Sequence, residues 1–391
     1  MRPSRAQGLR MITVGVLFAA LWLGAAPPAV AAITVTVTSG SLVVTGDAEN
    51  DTIGIRCQGG DVSVSGMEPS TGAAPCSSIV SIQVTAGGGA DRVDLSRVTA
   101  EEFTTLTSIA VSAGGGDDRV DGGPLGETLG GDAGNDRIGP GGGLDALEGG
   151  KGSDALSLRA DGEVVLTDTD LTHTGGSATL AGFESAEIRN ANSAAAVSFD
   201  AAKFSGPVSL TGGGLDDTLI GGRGDDRISG ADGNDTMRGG AGADLLSPGT
   251  GTSEVLDGGK GADTLALQGD GDFTVTDSSI SGLVGGSVAR IESLTASGGA
   301  GNNRLDAAGF SGVALLRGDA GNDVLVGGVG DDSINGGAGN DRLTGGSGND
   351  RVSGDEGDDL LRGGQGDDDL NGGAGKDRCL GGPGTNRLTS C

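Results

Sequence analysis

The chain has 391 residues, with 54 acidic against 25 basic side chains, a formal charge of −29, 82 glycines, one Trp and no Tyr. So acidic a chain repels nucleic acid as it repels itself, so no nucleic-acid partner is expected and a folded state must take up positive charge from elsewhere. Few large apolar side chains and this much charge read as disorder unless a period organises them.

The N-terminus comes first. Arg2, Arg5 and Arg10 precede an apolar run from Met11 to Leu23, and Ala29-Val30-Ala31-Ala32 offers small residues for cleavage. This predicts a secretory signal peptide over residues 1–31 rather than a membrane span. Its removal takes three Arg and no acid, moving the charge from −29 to about −32, and takes the only Trp, Trp22. No second apolar stretch follows, so no membrane insertion is expected. The destination is secreted or extracellular, with cell-surface association left open.

Residues 32–85 carry ITVTVT, SLVVTG, TIGIRC and DVSVSG, short alternating strands separated by turns, which predict an N-terminal β cap. Residues 86–158 hold a first array of nine-residue units, with acids at the sixth position: Asp118, Glu127, Asp136, Asp145 and Asp154. Asp51 and Asp91 sit in isolated, degenerate copies. A β-rich segment, 159–211, separates this from a second array, 212–267, with Asp217, Asp226, Asp235 and Asp244, and Asp263 after a one-residue insertion. A second β-rich segment, 268–317, leads to the third array and C-terminal cap, 318–391. There GDAGNDVLV opens a series that runs through GGVGDDSIN, GGAGNDRLT and their successors. Its sixth-position acids are Asp323, Asp332, Asp341, Asp350, Asp359, Asp368 and Asp377, with Asn386 ending it.

A longer repeat is superimposed. GKGSDALSLRADGEVVLTDTDL from Gly150 matches GKGADTLALQGDGDFTVTDSSI from Gly259, and FDAAKFSGPVSLTGGGLDDTL from Phe199 matches LDAAGFSGVALLRGDAGNDVL from Leu305. An array with its β-rich segment has been duplicated. These segments are expected to continue the same coil without metal. The four cysteines form two close pairs, Cys57 with Cys76 and Cys379 with Cys391. Four cysteines allow three connectivities, and short-range pairing is expected because the pairs lie at opposite ends of an elongated object. Each such closure is worth about 3 kcal/mol in the chain-entropy account.

The unit GGAGNDRLT from Gly336 explains why nine residues suffice. Glycine at its first, second and fourth positions lets six residues make a tight turn. Arg342-Leu343-Thr344 then forms a short strand with Leu343 inward. The inward series Leu325, Ile334, Leu343, Val352, Leu361 and Leu370 is apolar throughout. Two units make one turn of a flattened coil. One buried aliphatic side chain per nine ordered residues falls short of the backbone entropy lost, so the arrays are not expected to fold alone. Calcium fits the deficit: it takes six to eight hard oxygen donors, carboxylate and carbonyl alike. Units eighteen residues apart stack on one edge, so Asp332 and Asp350 can share an ion. Zinc and copper prefer His or Cys, and the chain has one His.

GGAGNDRLT and its neighbours resemble the G-G-x-G-x-D-x-(apolar)-x nonapeptide of the RTX, or haemolysin-type, calcium-binding repeats. NNRLDAAGFSG from Asn302 is similar to linkers between such repeats in bacterial surface and secreted proteins. The resemblance implies an all-β fold, a parallel β-roll or β-solenoid with Ca2+ between successive turns and folding coupled to calcium outside the cell. It assigns the ligand role to Asp118, Asp136, Asp145, Asp154, Asp217, Asp226, Asp235, Asp244, Asp263, Asp323, Asp332, Asp341, Asp350, Asp359, Asp368 and Asp377. Glu127 lies in a unit with Leu125 at its fourth position, Leu215 also displaces a glycine, and Asn303 and Asn386 replace Asp; these sites are expected to be weak or empty. On the order of ten ions is expected.

An enzyme is not expected. HExxH and G-x-S-x-G are absent, His173 is the only histidine and reads as a surface-loop residue, and no Trp or Tyr remains to stack on a sugar. The alternative is a structural or adhesive rod in which calcium is only the cement. No sequence signal names a protein or surface partner.

Overall fold

The computed structural model describes residues 32–391, so the expected leader lies outside the described residues. These residues form one compact body. Among them there is no α-helix, only a single 3-10 turn at Cys76–Ser78 and a long succession of short strands.

Each nonapeptide contributes one strand, and consecutive units alternate between two sheets. In one sheet Arg342–Ser347 pairs in parallel with Leu360–Gln365, and in the other Ser333–Ala338 pairs with Arg351–Glu356. The register sets Leu343 beside Leu361 and Ile334 beside Val352, an offset of eighteen residues, so two units close one coil. A slip of one residue would turn every inward side chain to solvent, which is why the register holds. Leu325, Ile334, Leu343, Val352, Leu361 and Leu370 are each at most 1% exposed. Burial of each contributes about 1.5–3 kcal/mol. Strands such as Ser333–Ala338 run six residues rather than three. The ladder continues into the first residues of the next unit, pairing Gly337 with Asp355. Gly337 puts no side chain between the coils there, where a Cβ would run into the Asp319 carbonyl.

The two β-rich segments depart from plain continuation in one sheet only. In the second sheet Ala155–Ala160, Ser185–Asn190 and Val208–Gly213 follow one another in parallel. In the first, Glu163–Thr167, Asp170–His173 and Gly176–Ala181 form an antiparallel meander. Its outer strands pair in parallel with Ser198–Lys203 and Gly143–Lys151. The second copy repeats this with Phe273–Thr276, Ser279–Gly282 and Gly286–Ala289. Alternating residues broken by short polar turns make hairpins, and a hairpin reverses the chain. Phe199, Phe204, Phe273 and Phe310 are fully buried in or beside these segments, so apolar packing there is heavier than in the arrays. His173 is a correction to the surface reading. It lies on the middle strand of the meander, 9% exposed, with Nδ1 accepting the Gly175 N–H at 3.1 Å. Burial pushes its pKa down.

At the N-terminal end, Thr34–Thr38 and Ser41–Thr45 form a hairpin whose second strand pairs in parallel with Ser81–Gly88. Cys57 is bonded to Cys76 and Cys379 to Cys391, with Cα separations of 6.0 and 5.6 Å, and no cysteine among the described residues is free. Both ends of the body are thus closed by short covalent loops, which is compatible with an oxidising, extracellular location.

Candidate metal centre

The sixth-position carboxylates sit where each turn becomes strand, and stacking brings them into ladders. The backbone N–H of Asp118 donates to Asp136 Oδ1 at 2.8 Å, and that of Asp136 to Asp154 Oδ1 at 2.8 Å. In the third array Asp323, Asp341, Asp359 and Asp377 are linked the same way at 2.7, 2.8 and 3.0 Å. On the opposite edge Asp332, Asp350, Asp368 and Asn386 are linked at 2.9, 3.0 and 2.8 Å. The second array joins Asp217 to Asp235, and Asp226 to Asp244 and Asp263. Asp145 is held by the Glu127 N–H at 2.9 Å.

The first carboxylate oxygen is therefore satisfied by the coil before. The second is not. Oδ2 of Asp118, Asp136, Asp145, Asp154, Asp235, Asp244, Asp263, Asp323, Asp341, Asp350, Asp359 and Asp368 is buried with no hydrogen-bond partner. A buried, unpaired carboxylate oxygen is costly, and a row of them is a standing demand for positive charge. Burial pushes the carboxyl pKa up to about 6 at Asp136, Asp145, Asp235, Asp244, Asp341 and Asp350. The first glycine of each unit leaves the room in question. A Cβ on Gly336 would collide with Asp341 Oδ2 and lie 2.9 Å from the Gly354 carbonyl of the next coil. Carboxylate and carbonyl oxygens thus converge where only hydrogen leaves space. Among the described residues no three His, Cys, Asp or Glu side chains cluster as a metal site. The donors on offer are one carboxylate per turn and backbone carbonyls, an all-oxygen set that suits Ca2+ and offers nothing to a thiolate- or imidazole-seeking ion.

The turns are of two kinds. In the open kind the second residue is left-handed: Gly337 has φ +104°, and Asp132, Ala231, Asp319 and Asp355 adopt φ +71°, +79°, +69° and +72° at that position. In the closed kind the second residue is not left-handed and donates its own N–H to the carboxylate four residues on. Gly213 bonds Asp217 at 2.6 Å, Gly222 bonds Asp226 at 2.5 Å and Gly328 bonds Asp332 at 2.6 Å. Asp47 closes on Asp51, and Gly123 on Glu127, at 2.9 Å each. Asp217, Asp226 and Asp332 therefore have both oxygens paired, since Val197, Val208 and Ala314 supply the other N–H. All five closed turns stand at the head of a run of stacked turns.

Several contributors escape the nonapeptide pattern. Asp51 and Asp91 join the first ladder, at 2.7 Å from Asp51 N–H to Asp91 and 2.7 Å from Asp91 N–H to Asp118. Glu184, Glu254 and Glu292 end the ladders by accepting the N–H of Asp154, Asp235 and Asp263 at 2.8, 2.8 and 2.9 Å. Their signal was present in the duplicated Phe183-Glu184-Ser185 and Ile291-Glu292-Ser293, but at spacings other than eighteen. Burial pushes Glu127 up to about 8 and Glu254 up to about 7. Asn386 is satisfied, its Nδ2 donating to the Gly382 carbonyl at 3.0 Å. Asp377 is half-buried at the final coil. A second ladder occupies the fifth position and runs the other way: Asn349 N–H donates to Asp331 Oδ1, and Asp367 N–H to Asn349 Oδ1. This explains why the fifth residue is so often Asn or Asp.

The family model described as the RTX calcium-binding nonapeptide repeat (4 copies) matches residues 111–124, 211–246, 248–274, 317–352 and 353–388. No curated protein matches the chain. No helix among the described residues is long and apolar enough to cross a membrane. With the matched repeats forming coils and their acids forming the buried ladders, the chain carries RTX calcium-binding nonapeptide repeats over the matched residues.

Proposed function

We propose that this is an exported calcium-binding protein whose arrays form their coils on taking up calcium, and that it is not an enzyme. The observation that carries this reading is the row of buried second carboxylate oxygens without partners. At neutral pH the metal-free coil must either leave charged oxygens unpaired or hold protons on acids that are ionised in water. A hard divalent cation removes that conflict and neutralises charge that 25 basic residues cannot. Because the ligands come from successive coils, the unfolded chain offers no such site, and binding free energy becomes folding free energy. Export is supported by the leader-like N-terminus and by the two disulfides.

The test is far-UV circular dichroism of the chain without its leader, titrated with calcium after chelation and with magnesium as control. A cooperative gain of β signal with calcium and none with magnesium is expected. A β-rich spectrum in chelator at neutral pH, with stability indifferent to calcium, would show that the arrays fold by packing alone.

A further inference from the structure

We infer that Asp270, which holds no sixth position in the three arrays, forms with Asn303 a further calcium site at the entry to the third array; the inference rests on the calcium reading above. The runs headed by Asp51, Glu127, Asp217, Asp226 and Asp332 each begin with a closed turn, the carboxylate turned back on its own backbone. The run headed by Asn303 does not. Its second residue, Gly299, stays open at φ +100°, although no nonapeptide turn precedes it.

Asp270 takes the place of the missing turn. Within the array, the fourth-position glycine of each coil abuts the carbonyl of the fourth-position glycine before it, Gly339 against Gly321 and Gly321 against Gly301. Gly301 itself abuts the Asp270 carboxylate instead, and its N–H donates to Asp270 Oδ1 at 3.0 Å. An anionic oxygen thus stands where later coils present a neutral one. Asn303 Nδ2 also donates to Asp270 Oδ1, at 3.2 Å, and Asn303 N–H donates to Asp323 Oδ1 at 2.7 Å. Asn303 is 5% exposed and its Oδ1 is buried without a partner. That oxygen faces Gly298, as Asp341 Oδ2 faces Gly336. The oxygens of an array turn are therefore present, with the negative charge moved from the sixth position to Asp270. A shared ion requires the Asn303 amide to turn, since Nδ2 faces Asp270 and Oδ1 faces Gly298 in the metal-free fold. Calcium accepts amide and carboxylate oxygens alike, so the substitution of Asn for Asp is made good from outside the repeat.

The duplicated copy supplies the control. The counterpart of Asp270 is Asp161, which accepts the Thr174 hydroxyl at 3.2 Å. The counterpart of Asn303 is Val197, whose N–H donates to Asp217 just as that of Asn303 donates to Asp323. Valine offers no oxygen, and the copy should hold no ion there.

Native mass spectrometry of residues 32–391 in calcium counts the ions directly. Asp270→Asn should carry one ion fewer than the unmodified chain, Asp161→Asn the same number, and Asp341→Asn, the positive control, fewer. Asn303→Val, which copies the first segment, should also lose one ion and keeps the test decisive if Asp270→Asn does not fold. An unchanged count in both Asp270→Asn and Asn303→Val, with Asp341→Asn reduced, overturns the inference and leaves the calcium reading standing. An unmodified chain that binds no calcium overturns that reading itself.

Discussion

Asp217 and Asp323 occupy the same place after the two copies of the duplicated segment, yet their turns differ. Asp217 is closed, with one oxygen held by Val197 N–H and the other by Gly213 N–H. Asp323 is open, with one oxygen held by Asn303 N–H and the other buried and unpaired. The fourth position differs too, Leu215 against Gly321, but Asp226 and Asp332 close with Gly224 and Gly330 there, so that residue does not make the difference. What differs is the coil beneath: a glycine-rich turn ending in Asn303 under Asp323, and Ser193-Ala194-Ala195-Ala196-Val197 under Asp217. A carboxylate with no oxygen-rich turn beneath it closes on its own backbone; one with such a turn stays open and keeps an oxygen free. Readiness for a cation is thus a property of a pair of coils.

The largest expected effect concerns charge on the open carboxylates. In the metal-free fold burial raises Asp136, Asp235, Asp244, Asp341 and Asp350 to about 6, above the unfolded value of about 3.9. A raised folded pKa means the protonated form is favoured by folding. Stability from these groups is fully present below about pH 4 and is lost as pH rises through about 6. In chelator, the β signal should therefore survive at about pH 5 and be lost by about pH 7. In calcium the trend reverses, because protons compete with the ion and affinity falls as pH drops below about 6. Circular dichroism against pH, with and without chelator, checks both arms, and identical chelated spectra at the two pH values would contradict them.

A smaller effect separates the two kinds of turn on one array. Asp341→Asn removes charge from an open turn and should destabilise the chain in calcium while costing little in chelator at neutral pH. Asp332→Asn weakens a closed turn, whose carboxylate accepts from Ala314 at 2.7 Å and Gly328 at 2.6 Å. Its cost, about 1.5–3 kcal/mol for hydrogen bonds to a charged group, should appear at any calcium concentration that supports folding. Unfolding midpoints across a calcium series distinguish the two; parallel shifts in both variants would erase the distinction.

The smallest effect is backbone strain. Ala231 holds the left-handed second position of the Asp235 turn at φ +79°, which Asp tolerates better and glycine without cost. Ala231→Gly should stabilise the calcium-loaded chain by about 1 kcal/mol, read as a higher thermal midpoint. A lower midpoint would place the value of Ala231 in packing rather than conformation.

Much of the architecture was legible in the residues. The nine-residue period predicts two sheets, the inward line from Leu325 to Leu370 and the eighteen-residue stacking of Asp332 on Asp350, all of which the structure contains. Identical units can stack in only one register that buries every aliphatic side chain, so a local pattern dictates a long-range one. What the pattern does not carry is the identity of the neighbour where the repeat stops. The antiparallel meanders, the burial of His173, the terminal glutamates Glu184 and Glu292, the closing of Asp217, Asp226 and Asp332, and the approach of Asp270 to Asn303 all arise at such junctions. At Asp217, Glu184, Glu292 and Asn303 the partner lies 20, 30, 29 and 33 residues away, at no fixed spacing, and only the packed chain decides which oxygen meets which N–H. The repeat pattern dictates the coil; packing selects which of its carboxylates remain unsatisfied, because satisfaction depends on what the preceding coil presents.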